Sequence, residues 1–203
     1  MQQNILKIDC KLINMGNLQD FQKLVISNAG HVEGLAEGDK APDFILPNAL
    51  GNDVSLYEKL QSGVVIIKFY RGEWCPICNL DLREIQGKLP EIKSLGASVI
   101  AISPQNPAMA LTAKEKNNLD FEVLSDANQK IIKAYNLQFD PGKDYHARRD
   151  LALLNGNGSK TLPVPATFII NTDQVIVTAH VEANYTERMG VSEILSVLKD
   201  LAD

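Results

Sequence analysis

The chain predicts an α/β fold in which a mixed central sheet is flanked by helices and preceded by an N-terminal extension. Residues 64–70, VVIIKFY, form a mostly β-branched and aromatic run without regular polar alternation, the pattern of a strand buried on both faces. Leu80, Leu82, Ile85, Leu89 and Ile92 follow as an apolar stripe at helical spacing, and SVIAIS at 98–103 reads as a second buried strand. A strand–helix–strand unit of this kind makes a parallel, right-handed crossover, which sets the core of the sheet.

The other elements fall around that unit. Residues 1–34 read as a helical arm, with Leu18, Phe21, Leu24 and Val25 at helical spacing, and 35–203 as the main domain. Gly34, Gly38, Pro42, Pro47 and Gly51 punctuate the next stretch, leaving a hairpin with strands near Phe44–Leu46 and Val54–Leu56. Pro90 marks a kink or stop in the central helix. Residues 106–117 read as helix and FEVL at 121–124 as a short strand, after which Asp126 can cap a helix running to about Tyr135. The polar segment from 138 to 162 is too long for a plain connection and reads as an insertion near the functional site or a subunit contact. ATFIINTDQVIVTAHV is expected to form two strands joined by a turn at Asn171–Gln174, and VSEILSVLKDLAD a closing amphipathic helix. This order fits a thioredoxin-type α/β fold.

Composition narrows the function classes. With 203 residues, 45% of them hydrophobic, the chain suits one domain, which at this size buries about 70% of its unfolded surface. A formal net charge of −5, a pI of 5.3 and no run of Lys or Arg argue against a nucleic-acid or anionic-membrane partner. Lys7, Asp9 and Lys11 interrupt the first segment, so it lacks the apolar region of a signal peptide. No stretch approaches the ~18 apolar residues of a membrane span, and the expected location is the cytoplasm. Three cysteines are too few for a disulfide scaffold.

The candidate chemistry lies where the central strand hands over to its helix. Cys75 and Cys78 form a C-x-x-C pair in FYRGEWCPIC, at a helix N-terminus whose free N–H groups and partial positive charge stabilise a thiolate. Arg71 supplies a nearby cation, and Trp74 can shield the sulfur from water. The short loop lets the pair close a disulfide reversibly. Zinc would need about four ligands, and Cys10, His31, His146 and His180 show no second paired spacing. An inert core role suits the polar neighbours poorly, whereas Cys10, with no resolving partner nearby, reads as inert. Pro165 is either a strand-entry proline or a cis proline facing the cysteines. The His146, Arg148 and Arg149 cluster reads as solvated surface, as does Glu73; Asp39 and Asp43 are carboxylates without a visible partner.

Taken together, FYRGEWCPICNLDLREIQ, AISPQ, FEVLSDANQKIIKAYNL and LPVPATFIINTDQVIVTAHVEANYTER resemble the AhpC/TSA peroxiredoxin-like branch of the thioredoxin superfamily, in a variant with a WCPxC motif. The resemblance implies a thioredoxin-like, peroxiredoxin-type fold. Laid on the family's P-x-x-x-T-x-x-C motif, Arg71 falls at the proline, Cys75 at the threonine and Cys78 at the peroxidatic cysteine, while the family's arginine falls at Pro165. By thioredoxin analogy Cys75 attacks and Cys78 resolves, and by peroxiredoxin register the roles reverse; expected exposure favours Cys75.

The implied activity is thiol-dependent reduction of hydrogen peroxide or alkyl hydroperoxides through a Cys75/Cys78 dithiol-disulfide cycle, without a cofactor. An external dithiol such as thioredoxin or glutaredoxin would be the reductant, and the chain admits a homodimer. The alternatives are a protein disulfide oxidoreductase, with Pro165 aligning the substrate, and a non-enzymatic thioredoxin-fold binding module.

Overall fold

The computed structural model describes residues 15–202. Helix α1 (Met15–Ala29) leads to a hairpin of β1 (Ile45–Pro47) and β2 (Asp53–Ser55), then to α2 (Leu56–Leu60). The crossover unit follows as β3 (Val64–Phe69), α3 (Pro76–Ser94) and β4 (Ala97–Ser103), and α4 (Pro107–Lys116) leads into β5 (Glu122–Ser125). After α5 (Lys130–Ala134) and β6 (Gln138–Phe139), the long polar segment holds two short helices, α6 (Lys143–His146) and α7 (Leu151–Leu154), before β7 (Leu162–Pro163). The hairpin β8 (Ala166–Ile170) and β9 (Ile176–Val181) and helix α8 (Val191–Ala202) complete the order. Cys10 lies outside the described residues.

The five-stranded sheet has the order β5-β4-β3-β8-β9. Strand β3 is parallel to β4 and antiparallel to β8, so the mixed sheet expected from the sequence is present, with β3 at its centre. Alternate residues of β3 enter two separate cores, which explains its lack of polar alternation. Ile66 and Tyr70 face α3 and α8 with Leu82, Ile85, Leu89, Ile92, Ile194 and Leu198. Val65, Ile67 and Phe69 face the other side, with Phe168, Leu56, Ile132 and Tyr135. One residue breaks the apolar pattern: Lys68 is buried on the α3 side and reaches Asp81 at 2.9 Å. Among the described residues no helix is long and apolar enough to cross a membrane.

Three local expectations need correction. Pro90 neither stops nor ends α3, which continues to Ser94. It sits at an exposed position while Leu89 and Ile92 on either side are buried, so packing offsets the hydrogen bond its ring removes. Asp126 is not the N-cap of α5; that position belongs to Gln129, in the left-handed region at φ 55°. The turn nevertheless brings the Asp126 carboxylate onto the first turn of the helix, where it accepts from the Ile131 and Ile132 N–H groups at 3.0 and 2.7 Å. No peptide bond among the described residues is cis, so Pro165 joins Val164 by a trans bond. Extended backbone explains this: Val164 N–H donates to Leu137 and Pro165 C=O accepts from Glu182, carrying the β7 path straight into β8.

Helix α1 is anchored on the insertion. Phe21 stacks on Tyr145 with centroids 5.0 Å apart, and Val25 and Ala29 are buried with Tyr145, Leu151, Val164 and Tyr185. On the far side of the sheet, Phe168 is fully buried and meets Phe69 and Tyr135 edge-on at 6.0 and 5.2 Å between centroids. Phe168→Ala is expected to lower unfolding stability by about 3–5 kcal/mol, the range for truncating a core phenylalanine. In urea denaturation the midpoint falls while the slope is kept; a loss under about 1 kcal/mol would contradict this packing.

Candidate functional site

The site is built by the turn from β3 to α3. Cys75 is the N-cap of α3, in extended conformation, and its sulfur accepts from the Cys78 N–H at 3.4 Å. Pro76 follows as the first helical residue, where its fixed φ suits the helix and its missing N–H loses nothing. The intervening loop is tied down along its length. Gln105, just after β4, accepts from Glu73 N–H; Asn79 donates to Glu73 C=O at 2.7 Å and is itself held by Asn117 at 3.0 Å. Gly72 has φ +141°, and a Cβ there would stand 2.6 Å from Trp74 Nε1, so the turn requires glycine.

Arg71, Trp74, Cys75 and Cys78 come together as the sequence predicts, and Pro165 precedes β8 on the strand beside β3. Arg71 Nη2 donates to Cys75 Sγ at 3.2 Å. The guanidinium packs over the Tyr185 ring at 3.9 Å and lies 5.5 Å from the Trp74 ring. Both sulfurs have 0% exposure, so the expected exposure of Cys75 does not distinguish the two.

Electrostatics distinguish them instead. Hydrogen bonding from the Cys78 thiol, together with the Arg71 guanidinium and the Cys78 N–H, outweighs burial and lowers Cys75 to about 5. Burial, then the hydrogen bond to Cys75 and its thiolate charge, push Cys78 well above the ordinary thiol range, against the opposing pull of Arg71 and Arg188. The pair therefore shares one proton, held on Cys78. Burial works against the Arg71 charge, but Cys75 and Cys78 more than offset it and hold its pKa above the usual value.

Several residues here were not singled out from the sequence. Arg188, from the turn before α8, places Nη2 3.9 Å from Cys78 Sγ although it lies 110 positions away. Tyr185 and Tyr145 pack in the same cluster as Trp74, and the Arg149 guanidinium lies 4.9 Å from the Trp74 ring centroid. Arg149 thus belongs to the wall of the site rather than to a solvated cluster, while its neighbour His146 pairs with Asp140 at 2.7 Å. Glu73 meets Lys116 at 3.3 Å, Asp39 accepts from Ala36 N–H and Asp43 from Tyr57 N–H, which are local structural roles. The one signal that could have exposed the deeper network is Lys68, a charge inside a buried strand that must have a partner.

The profile of the AhpC/TSA family matches residues 37–179. The chain is similar to a protein named as a peroxiredoxin in Mycobacterium tuberculosis, at 35% identity over 101 residues, covering 50% of this chain and 64% of that protein. It is similar also to peroxiredoxin Bcp of Escherichia coli, at 31% identity with the same coverage. The chain thus spans just under two thirds of the length of these relatives. Peroxidoxin BcpB from Mycobacterium tuberculosis shares the fold, with a TM-score of 0.66 at 21% identity over 82% of this chain and 98% of that one.

Titration of the reduced protein at the thiolate absorbance band is expected to reveal one thiolate forming with a midpoint near 5, set by Cys75, while Cys78 stays protonated through neutrality. The Cys75 thiolate is fully formed above this midpoint and is lost as pH falls through it. Arg71→Met moves the midpoint upward by about one unit or more. An unchanged midpoint in that variant would contradict the assigned role of Arg71.

Proposed function

The chain belongs to the AhpC/TSA family, and from that premise we propose that it is a thiol-dependent peroxidase whose nucleophile is Cys75 and whose resolving residue is Cys78. One observation carries this reading: a Cys75 sulfur closed from solvent, with a guanidinium nitrogen at 3.2 Å. A thiolate held in that way is activated for attack on a small electrophile, and hydrogen peroxide or a small alkyl hydroperoxide is of that kind.

The steps follow from the groups present. The Cys75 thiolate attacks one peroxide oxygen; the O–O bond breaks, an S–O bond forms, and the departing alkoxide or hydroxide takes a proton to leave as alcohol or water. Arg71 has a second donor for this step, because its Nε is buried without an acceptor among the described residues. A guanidinium donor on the residue that holds the sulfur strengthens as charge develops on the leaving oxygen, which is the service a threonine and an arginine perform in other members of the family. Cys78 then displaces hydroxide from the Cys75 sulfenic acid, giving the Cys75–Cys78 disulfide and water. An external dithiol of the thioredoxin or glutaredoxin type returns both cysteines to thiols by exchange. Trp74, whose ring lies near both the Arg71 and the Arg149 guanidinium groups, packs against the buried cluster that holds both cysteines.

The disulfide-exchange reading drew on a cis Pro165, and the trans bond removes that support. Single cysteine variants decide between the readings. Cys75→Ser is expected to lower peroxide consumption at least about a hundredfold. Cys78→Ser is expected to keep one stoichiometric oxidation but to lose dithiol-driven turnover. Unchanged rates in both variants would overturn the enzyme reading, and protein-disulfide reduction without peroxide consumption would replace it with exchange.

A further inference from the structure

Each cysteine has its own arginine. Arg71 donates to Cys75, whereas Arg188 places Nη2 3.9 Å from Cys78. Arg188 is in turn placed by a buried network: its Nε stands 3.6 Å from Asp81 Oδ2, its Nη1 donates to Glu187 C=O at 2.6 Å, and the other Asp81 oxygen accepts from Lys68 Nζ at 2.9 Å. The side chains of Lys68, Asp81 and Arg188 are 1%, 9% and 13% exposed. Asp81 lies three residues after Cys78 on α3, so the helix presents the sulfur and the carboxylate to the same region.

As a means of stabilising the fold, this arrangement is poor. Removing two or three charges from water costs several kcal/mol per ion before their attraction is counted, and apolar residues of similar volume commonly do as well. Lys68 is the fifth of the six residues of the central strand, where every other position is apolar. What the network does accomplish is to hold one guanidinium against the Cys78 sulfur.

We propose that Arg188 stabilises the negative charge on Cys78 as it attacks the oxidised Cys75, and that Lys68 and Asp81 are positioning residues that hold Arg188 on that sulfur. This rests on the assignment of Cys75 as nucleophile. In the reduced protein the Cys75 thiolate opposes a second negative charge, so Cys78 keeps its proton. Once Cys75 carries a hydroxyl, that charge is gone while both guanidinium groups remain. Cys78 then releases its proton, its sulfur bonds to the Cys75 sulfur, and the S–O bond breaks. The hydroxide takes up the released proton and leaves as water. The arginines thereby order the reaction, with Cys75 acting first and Cys78 second.

The single tryptophan, Trp74, reports both steps in stopped-flow fluorescence. A peroxide-dependent phase follows oxidation of Cys75, and a peroxide-independent phase follows disulfide closure. Arg188→Met is expected to slow closure about tenfold or more while the peroxide-dependent phase keeps at least about half its rate; Arg188→Lys restores most of the closure rate and Asp81→Asn slows it about threefold or more. A second assay omits peroxide. Dithiobis-nitrobenzoate forms a mixed disulfide on Cys75 with release of one coloured thiolate, and attack by Cys78 releases the second. Closure measured in this way tests Arg188 even if the protein consumes no peroxide, which separates failure of this inference from failure of the peroxidase reading. Closure unchanged within about twofold in Arg188→Met, or equal slowing of both phases, would overturn the proposal.

Discussion

The contact between Arg71 and Cys75 is the interaction around which the rest of the site is arranged. A buried guanidinium and a buried thiolate are each costly alone and tolerable together, so neither residue can be understood without the other. The contact needs a turn that brings position 71 back toward position 75, and the turn needs Gly72, whose backbone no side-chain-bearing residue fits beside Trp74 and Gln105. It also needs the N-cap geometry of α3, which turns the Cys75 sulfur toward the Cys78 N–H. Gln105 and Asn79 hold the loop at Glu73, and Asn117 holds Asn79 in place.

The covering on the opposite side has a different origin. Tyr145 and Arg149 come from the insertion, Tyr185 and Arg188 from the turn before α8, and Phe21 supports Tyr145 from α1. These segments lie far apart in the chain and meet in one buried apolar cluster. The insertion and the N-terminal helix are therefore packed together in the cluster against which Trp74, next to Cys75, also lies.

The fold was largely legible because its strongest signals are local. The VVIIKFY run, the stripe from Leu80 to Ile92 and the SVIAIS run define the crossover, and the turn at Asn171–Gln174 defines the last hairpin. Pro90 misled because local propensity favours a stop there, whereas Leu89 and Ile92 are held by long-range packing. The cysteines and Arg71 were legible because they lie within one turn of sequence. Arg188 was not, since its proximity to Cys78 depends on how β9 and α8 are joined across the whole domain. Lys68 carried a signal without an address: a charge in a buried strand demands a partner, but nothing in the spacing marks Asp81 as that partner. Exposure, on which the sequence favours Cys75, does not separate two fully buried cysteines, and the lowered pKa of Cys75 supports the same assignment for a different reason.

The central claim is that position and charge, rather than exposure, make Cys75 the nucleophile. Trapping of the oxidised intermediate tests it most directly: the Cys78→Ser and Cys75→Ser variants are each treated with one equivalent of hydrogen peroxide in the presence of dimedone, and the adducts are mapped by peptide mass spectrometry. The account predicts rapid, near-complete labelling at Cys75 in the first variant and little at Cys78 in the second. Preferential labelling of Cys78 would contradict it and assign the attack to the other sulfur.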